Sequence, residues 1–220
     1  MSVRDERISQ MSNLKKEVLA ACTAGLRELG FTKQDGKLIL DRGDGASGWL
    51  GLNLATFALP ASLMVNPVVG VRFASVEDIM LTIRDDIPRT PMPVVSRPLG
   101  YLMPERTFRT WEFQRDGNIE QVAASLVSAV KQYGIPYIDT YADWRVFCHS
   151  VELPGFLLPH EKAKVIPVVP ALNKQLDEAR EVVRTELTAV ADSDGVYAQS
   201  YRDFAEKLFS CDLFTKGKEA

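Results

Sequence analysis

The sequence predicts an α+β fold: a largely antiparallel sheet of four to five strands packed by helices, with a C-terminal helical pair. Three observations carry that expectation. The chain opens on residues of helical spacing and then runs through three β-rich stretches joined by short polar turns. Those connections are too short for crossover helices, which implies an antiparallel meander. Beyond residue 115 the apolar residues recur at helical spacing.

Taken in order, Ile8, Met11, Leu14, Val18, Cys22, Leu26 and Leu29 mark an amphipathic helix over residues 6–29, with Gly30 as its stop. "KLILDR" reads as a strand, "GDGASG" as a turn, and "WLGLNLATFAL" as a longer strand broken by Pro60. "NPVVGVRFAS" is a further strand. Ser75 and Asp78 have capping-box spacing at the start of a short helix, "VEDIMLTI". Pro88, Pro91 and Pro93 end that helix in an extended loop.

The stretch "SRPLGYLMPERTFRTWEF", residues 96–113, is expected to form two strands, 97–103 and 107–114, turning at Pro104–Glu105. Alternation then puts Arg109, Trp111 and Phe113 on one face and Phe108, Thr110 and Glu112 on the other. Asn118 caps a helix carrying Ile119, Val122, Leu126, Val130 and Tyr133, with Gly134 as its stop. Tyr137, Tyr141, Trp144 and Cys148 share a helical face over 137–150. "LPGFLLPHEKAKVIPVVP", with its prolines, reads as mostly irregular, and Pro170 suits the first turn of a long helix striped by Leu172, Leu176, Ala179, Val183 and Leu187. The last helix shows Tyr197, Tyr201, Phe204 and Leu208, and "FTKGKEA" is expected to fray. These elements divide into an α+β domain over 1–150 and a helical extension over 151–220, expected to pack on it.

Composition narrows the function classes. At 220 residues, 46% hydrophobic and 25% charged, the chain can bury a core without disulfides or metal. Its net charge of -3 argues against a dedicated nucleic-acid binder. The acidity is local: residues 134–194 hold 6 Lys+Arg against 10 Asp+Glu. "MSVRDERISQM" lacks the apolar core of a secretory signal, and no apolar run is long enough to span a membrane. Cys22, Cys148 and Cys211, odd in number and far apart, suit reduced thiols in a cytoplasmic protein.

The motifs of chemistry are weak. Gly43, Gly45 and Gly48 match G-x-G-x-x-G, but a strand-like stretch follows where a dinucleotide site needs a helix, so a hairpin loop is the better reading. Two histidines, His149 and His160, without C-x-x-C or H-E-x-x-H, leave no metal set, and no cofactor is expected. Cys148 and His149 point about 100° apart on a helix and do not make a nucleophile–base pair. No G-x-S-x-G elbow is present. Asp85–Asp86 and the i,i+4 pair Asp139 and Asp143 read as solvated carboxylates. Arg97, Tyr101 and Arg109 could line a cleft for an anion; alternatively they are ordinary strand residues whose arginines snorkel.

"LRELGFTKQDGKLILDR", "GWLGLNLATF", "VVGVRF", the 96–113 stretch and "NIEQVAASLVSAVKQYGIPYID" together resemble, over about residues 12–145, a bacterial family of unknown function. Arg97-Pro98-Leu99-Gly100 departs from that family's plain Arg-Leu-Gly. Some of its members are similar to immunity proteins encoded beside bacterial toxins. The resemblance implies a binding role and no catalytic residue. The expected function is therefore a non-catalytic domain that binds another protein, a cognate toxin among the candidates. Carboxylates of the acidic region, Asp139, Asp143, Asp177 and Glu181, are the expected contact residues. The alternative is a small-ligand protein or enzyme using Arg97, Tyr101 and Arg109.

Overall fold

In the computed structural model, residues 3–57, 62–83 and 92–215 are described. The chain divides into two compact units, residues 1–71 with 96–142, and residues 72–95 with 143–220. The division thus falls at 142–143 and not at 150, and residues 72–95 join the C-terminal helices. The α+β class holds, and among the described residues the sheet has six strands.

The first unit begins with helix α1 (Val3–Glu28). Leu14, Val18, Cys22 and Leu26 form its buried stripe. Gly30 stops it at φ +92, a left-handed conformation that costs glycine little. Strands β1 (Thr32–Gln34) and β2 (Lys37–Asp41) form a hairpin closed by Asp35 and Gly36, both at positive φ. That is the backbone an Asp-Gly turn of the primed type requires, and the dipeptide is the local signal for the short strand β1.

The glycine-rich stretch forms the next turn. Asp41 Oδ1 accepts the Gly43 N–H at 2.9 Å, and Gly43, Asp44 and Gly45 all take positive φ. Strand β3 (Ala46–Phe57) follows it, paired to β2 from Leu38↔Leu50 to Asp41↔Ser47. A strand, not a helix, leaves this loop, as a hairpin requires. β4 (Ser62–Phe73) neighbours β3 on the sheet, with its alternate residues buried.

Both short strands of the 96–113 stretch pair with β4: β5 (Val95–Pro98) and β6 (Trp111–Gln114). The expected strands 97–103 and 107–114 are therefore each only partly formed. Residues 99–102 make a 3-10 turn, and 107–110 are irregular. β6 pairs with β4 from Ser62↔Gln114 to Val65↔Trp111. Pro67 has no N–H to extend such a ladder, and the Asn66 side-chain amide donates to the Arg109 carbonyl at 2.9 Å. In β6, Trp111 and Phe113 are buried and Glu112 is exposed, as alternation predicts.

Helix α3 (Ile119–Ala129) starts at Asn118, whose side chain accepts the Gln121 N–H at 3.0 Å. Gly134 does not stop it. Residues 130–134 widen into a π turn that runs on into α4 (Ile135–Ala142). Pro136 accounts for the widening: it offers no N–H to the carbonyl four residues back, and a wider turn relieves its ring. These helices and α1 cover one core, from Leu14 to Ile138.

The second unit includes α2 (Ala74–Ile83), which leaves β4 directly, so Ser75 lies inside it and is not its cap. Arg72 and Glu77 form an ion pair across that junction. Asp85, Asp86, Pro88, Pro91 and Pro60 lie outside the described residues, as do 216–220 of the tail expected to fray. Helix α5 (Trp144–Ser150) is separate from α4, because Asp143 caps it by accepting the Arg145 and Val146 N–H groups at 2.8 and 3.1 Å. Phe73, Trp144, Phe147 and Phe156 stack in this unit with ring centroids 4.8–6.0 Å apart.

The proline-rich stretch is helical, a correction to the irregular reading. Helix α6 (Pro159–Leu172) has Pro159 in its first turn, with the Glu161 carboxylate accepting the Leu158 N–H at 3.1 Å. Pro167 and Pro170 lie inside it and are buried among Val165, Val168 and Val169. Burial of that apolar run outweighs the missing donors. Lys174, at φ +64, turns the chain into α7 (Leu176–Ala189), so Pro170 does not start that helix and Leu172 is not on it. Helices α8 (Val196–Ser210) and α9 (Asp212–Thr215) follow. α7 and α8 are the expected C-terminal pair.

Candidate functional site

The 96–113 stretch builds a short, pinned loop in the first unit. Pro98, at φ -59, ends β5 and opens the 3-10 turn. Leu99 and Met103 are buried in the unit's core and anchor both ends of that turn. Between them Gly100 meets the returning chain: a Cβ there would stand 2.3 Å from the Thr107 carbonyl oxygen and 2.8 Å from the Arg109 nitrogen. Only a residue without a side chain allows this approach. The Met103 carbonyl accepts the Arg106 N–H at 3.0 Å, and Arg106 takes φ +49.

This frame presents Tyr101 and Phe108 outward, 48% and 64% exposed. Arg109 lies over Trp111, its guanidinium carbon 5.2 Å from the ring centroid, with Nη1 3.9 Å from the Met103 sulfur. The expected pairing of Arg109 with Trp111 on one face is thus met, with the arginine capping the buried indole from outside. Residues 96–110 carry Arg97, Arg106 and Arg109 against one acid, Glu105. Phe108 and Arg106 were absent from the sequence-based candidates. For Phe108 the available signal was alternation, which sets it on the face opposite the buried Trp111 and Phe113.

Arg97 sits differently. It is half-buried, and its charge acts on Tyr137 of α4. Burial pushes the Tyr137 phenol well above its ordinary value; Arg97 opposes that shift and Tyr141 adds to it. The Tyr137 and Tyr141 rings meet edge to face at 4.8 Å. Tyr101 and Arg109 therefore belong to the exposed loop, while Arg97 is half-buried on β5 with its charge felt at Tyr137.

The acidic candidates do not converge. Asp139 pairs with Arg42 at 2.7 Å. Asp143 spends its carboxylate on the α5 cap and lies beyond the end of α4, so the two do not share a helix face. Asp177 pairs with Arg180 at 3.0 Å and Glu181 with Arg184 at 3.7 Å. Glu181 also lines a groove between α6, α7 and α8. Three of these four carboxylates thus pair with arginines and the fourth caps a helix.

Cys148 is not poised as a nucleophile. Burial raises its thiol, and the Asn173 amide, 3.6 Å from the sulfur, opposes this in part. Asn173 in turn accepts the Trp144 indole N–H at 2.9 Å, while His149 is exposed. The thiol therefore closes a Trp–Asn–Cys chain and has no imidazole base in it.

Comparison with protein-family models, with curated proteins and with solved structures returned no match for this chain. The chemistry the loop can perform is recognition: two exposed aromatic faces, guanidinium donors, and a backbone already held in place.

Proposed function

We propose that the chain is a non-catalytic protein-binding domain whose contact surface is the 99–110 loop, and that it acts as an immunity-type inhibitor of a cognate toxin. One observation carries the binding reading: Tyr101 and Phe108 stand exposed on the 99–110 segment, which also carries Arg106 and Arg109 and is pinned at Gly100. Aromatic and arginine side chains supply most of the energy at protein interfaces. A loop already fixed before binding loses little entropy on association, which favours affinity. Its surplus of arginine suits an acidic surface on the partner. The toxin assignment itself rests on the resemblance to a family some of whose members are similar to immunity proteins. Residence in the cytoplasm goes with this reading, and no helix among the described residues is long and apolar enough to cross a membrane.

Co-expression with the product of an adjacent reading frame tests it. The expected result is co-purification and rescue of growth, both lost in the Tyr101→Ala, Phe108→Ala double variant with the thermal midpoint kept within a few degrees. A neighbour that neither binds nor harms cells removes the toxin assignment. A bound neighbour indifferent to the double variant removes the loop.

A further inference from the structure

We propose that the groove between α6, α7 and α8 in the second unit binds an amphipathic amine, a primary ammonium carried on an apolar or aromatic body. The inference does not rest on the partner-binding reading, which concerns the other unit. The groove is open to solvent and offers about 800 Å³, within the usual range of small-ligand sites. Ala163 and Ile166 of α6 and Val182 of α7 form an apolar wall on which a hydrocarbon or aromatic body can lie.

The polar groups facing that wall are those an ammonium needs. Glu186 of α7 accepts the Tyr197 hydroxyl at 2.8 Å. A carboxylate has about four acceptor sites, so capacity remains for an N–H donor. Tyr201 also lines the groove; the residue is wholly buried and among the described residues its hydroxyl has no hydrogen-bond partner. Buried polar groups are nearly always paired, so an orphan hydroxyl sealed just behind the groove wall favours a ligand that shifts the wall and pairs with it. Tyr197, 40% exposed and 6.1 Å from the buried Tyr201 ring, offers an aromatic ring that attracts a cation.

Charge selects the same ligand. The lining holds two carboxylates, Glu181 and Glu186, and one ammonium, Lys162. Lys162 donates to the Glu152 carbonyl at 3.1 Å and is already engaged. Glu181 is only loosely held, 3.7 Å from Arg184 with both side chains largely exposed. An anion would meet two carboxylates here. A neutral ligand can donate a hydrogen bond to Glu186 but does not offset the negative charge of the lining.

Titration calorimetry and amide chemical-shift mapping of the full chain with 2-phenylethylammonium and its neutral isostere 2-phenylethanol test this. The ammonium is expected to bind saturably, with shifts confined to α6, α7 and α8, and the alcohol about tenfold more weakly or not at all. Glu186→Gln should weaken the ammonium by about tenfold. Tyr201→Phe should weaken it several-fold without lowering the thermal midpoint. Glu206→Gln, an exposed α8 residue outside the lining, should change nothing. Equal binding of amine and alcohol, indifference to both groove variants, or no saturable shift overturns the proposal. If Glu186→Gln loses its fold, Tyr201→Phe and the amine–alcohol comparison decide.

Discussion

Gly100 shows how much one missing side chain can carry. Its backbone needs no left-handed conformation; what it needs is room, because the 107–109 chain passes where a Cβ would sit. Gly100→Ala is expected to cost about 2–3 kcal/mol by forcing the loop outward, read as a lower denaturant midpoint in urea. An unchanged midpoint would mean that the loop is not pinned. Cys22 is a second residue with a readable signature. Burial pushes its thiol from an ordinary 9.0 up to about 12, with Glu120 adding to the shift. The folded state then holds a proton that the unfolded chain releases. Its contribution is fully present below pH 9 and is lost as pH rises from about 9 towards 12, by at most about 1.4 kcal/mol per pH unit. Cys22→Ala should flatten that decline in pH-dependent unfolding. Native Cys22 should also resist alkylation at pH 8, and rapid labelling would contradict its burial.

At the scale of elements, two packings depend on an exact pairing of small and large residues. α4 lies so close to β3 that a Cβ on Gly48 would stand 2.7 Å from Ile138 Cγ2. Ile138 is wholly buried and cannot turn aside. Gly48→Ala should destabilise by about 1–3 kcal/mol, and Ile138→Ala by about 2–5 kcal/mol. The double variant should recover about 0.5–3 kcal/mol relative to their sum, since the new methyl enters the new cavity. Strict additivity in a denaturation cycle would refute the contact. The π turn at 130–134 belongs to this scale too. Gly134 reads as a helix stop from its residue type, yet it is buried, with Val69 3.1 Å from where its Cβ would be. Local sequence shows a glycine before a proline; packing decides whether that pair ends a helix or only widens it.

For the whole molecule, the decisive fact is that the second unit draws residues from two separated stretches. α2 buries Val76 and Ile83 and packs on α6 and α8. A fragment ending at residue 150 keeps α2 and loses both helices. It is expected to bind a hydrophobic dye and to aggregate, whereas the full chain stays monodisperse with one set of cooperative transitions. A well-behaved 1–150 fragment would restore the division read from the sequence. The loop at 99–110 illustrates the same limit. Its aromatic and arginine content was visible, but alternation assigned those residues to strands because nothing local shows that the Gly100–Thr107 approach interrupts both.

By itself the sequence determined the α+β class, helix α1 with its stop at Gly30, the hairpin around Gly43–Gly48, the Asn118 cap, and the burial of Trp111 and Phe113. Each of these follows from periodicity or turn chemistry within a few residues. Tertiary structure alone decided that the Pro167–Pro170 stretch is helical, that Gly134 continues its helix, that Asp139 and Asp143 part company, and that Tyr201 is left with an unpaired hydroxyl beside a groove. Those outcomes depend on which distant side chains arrive to bury or pair a group, and that information is spread over the chain, not held in any one window of it.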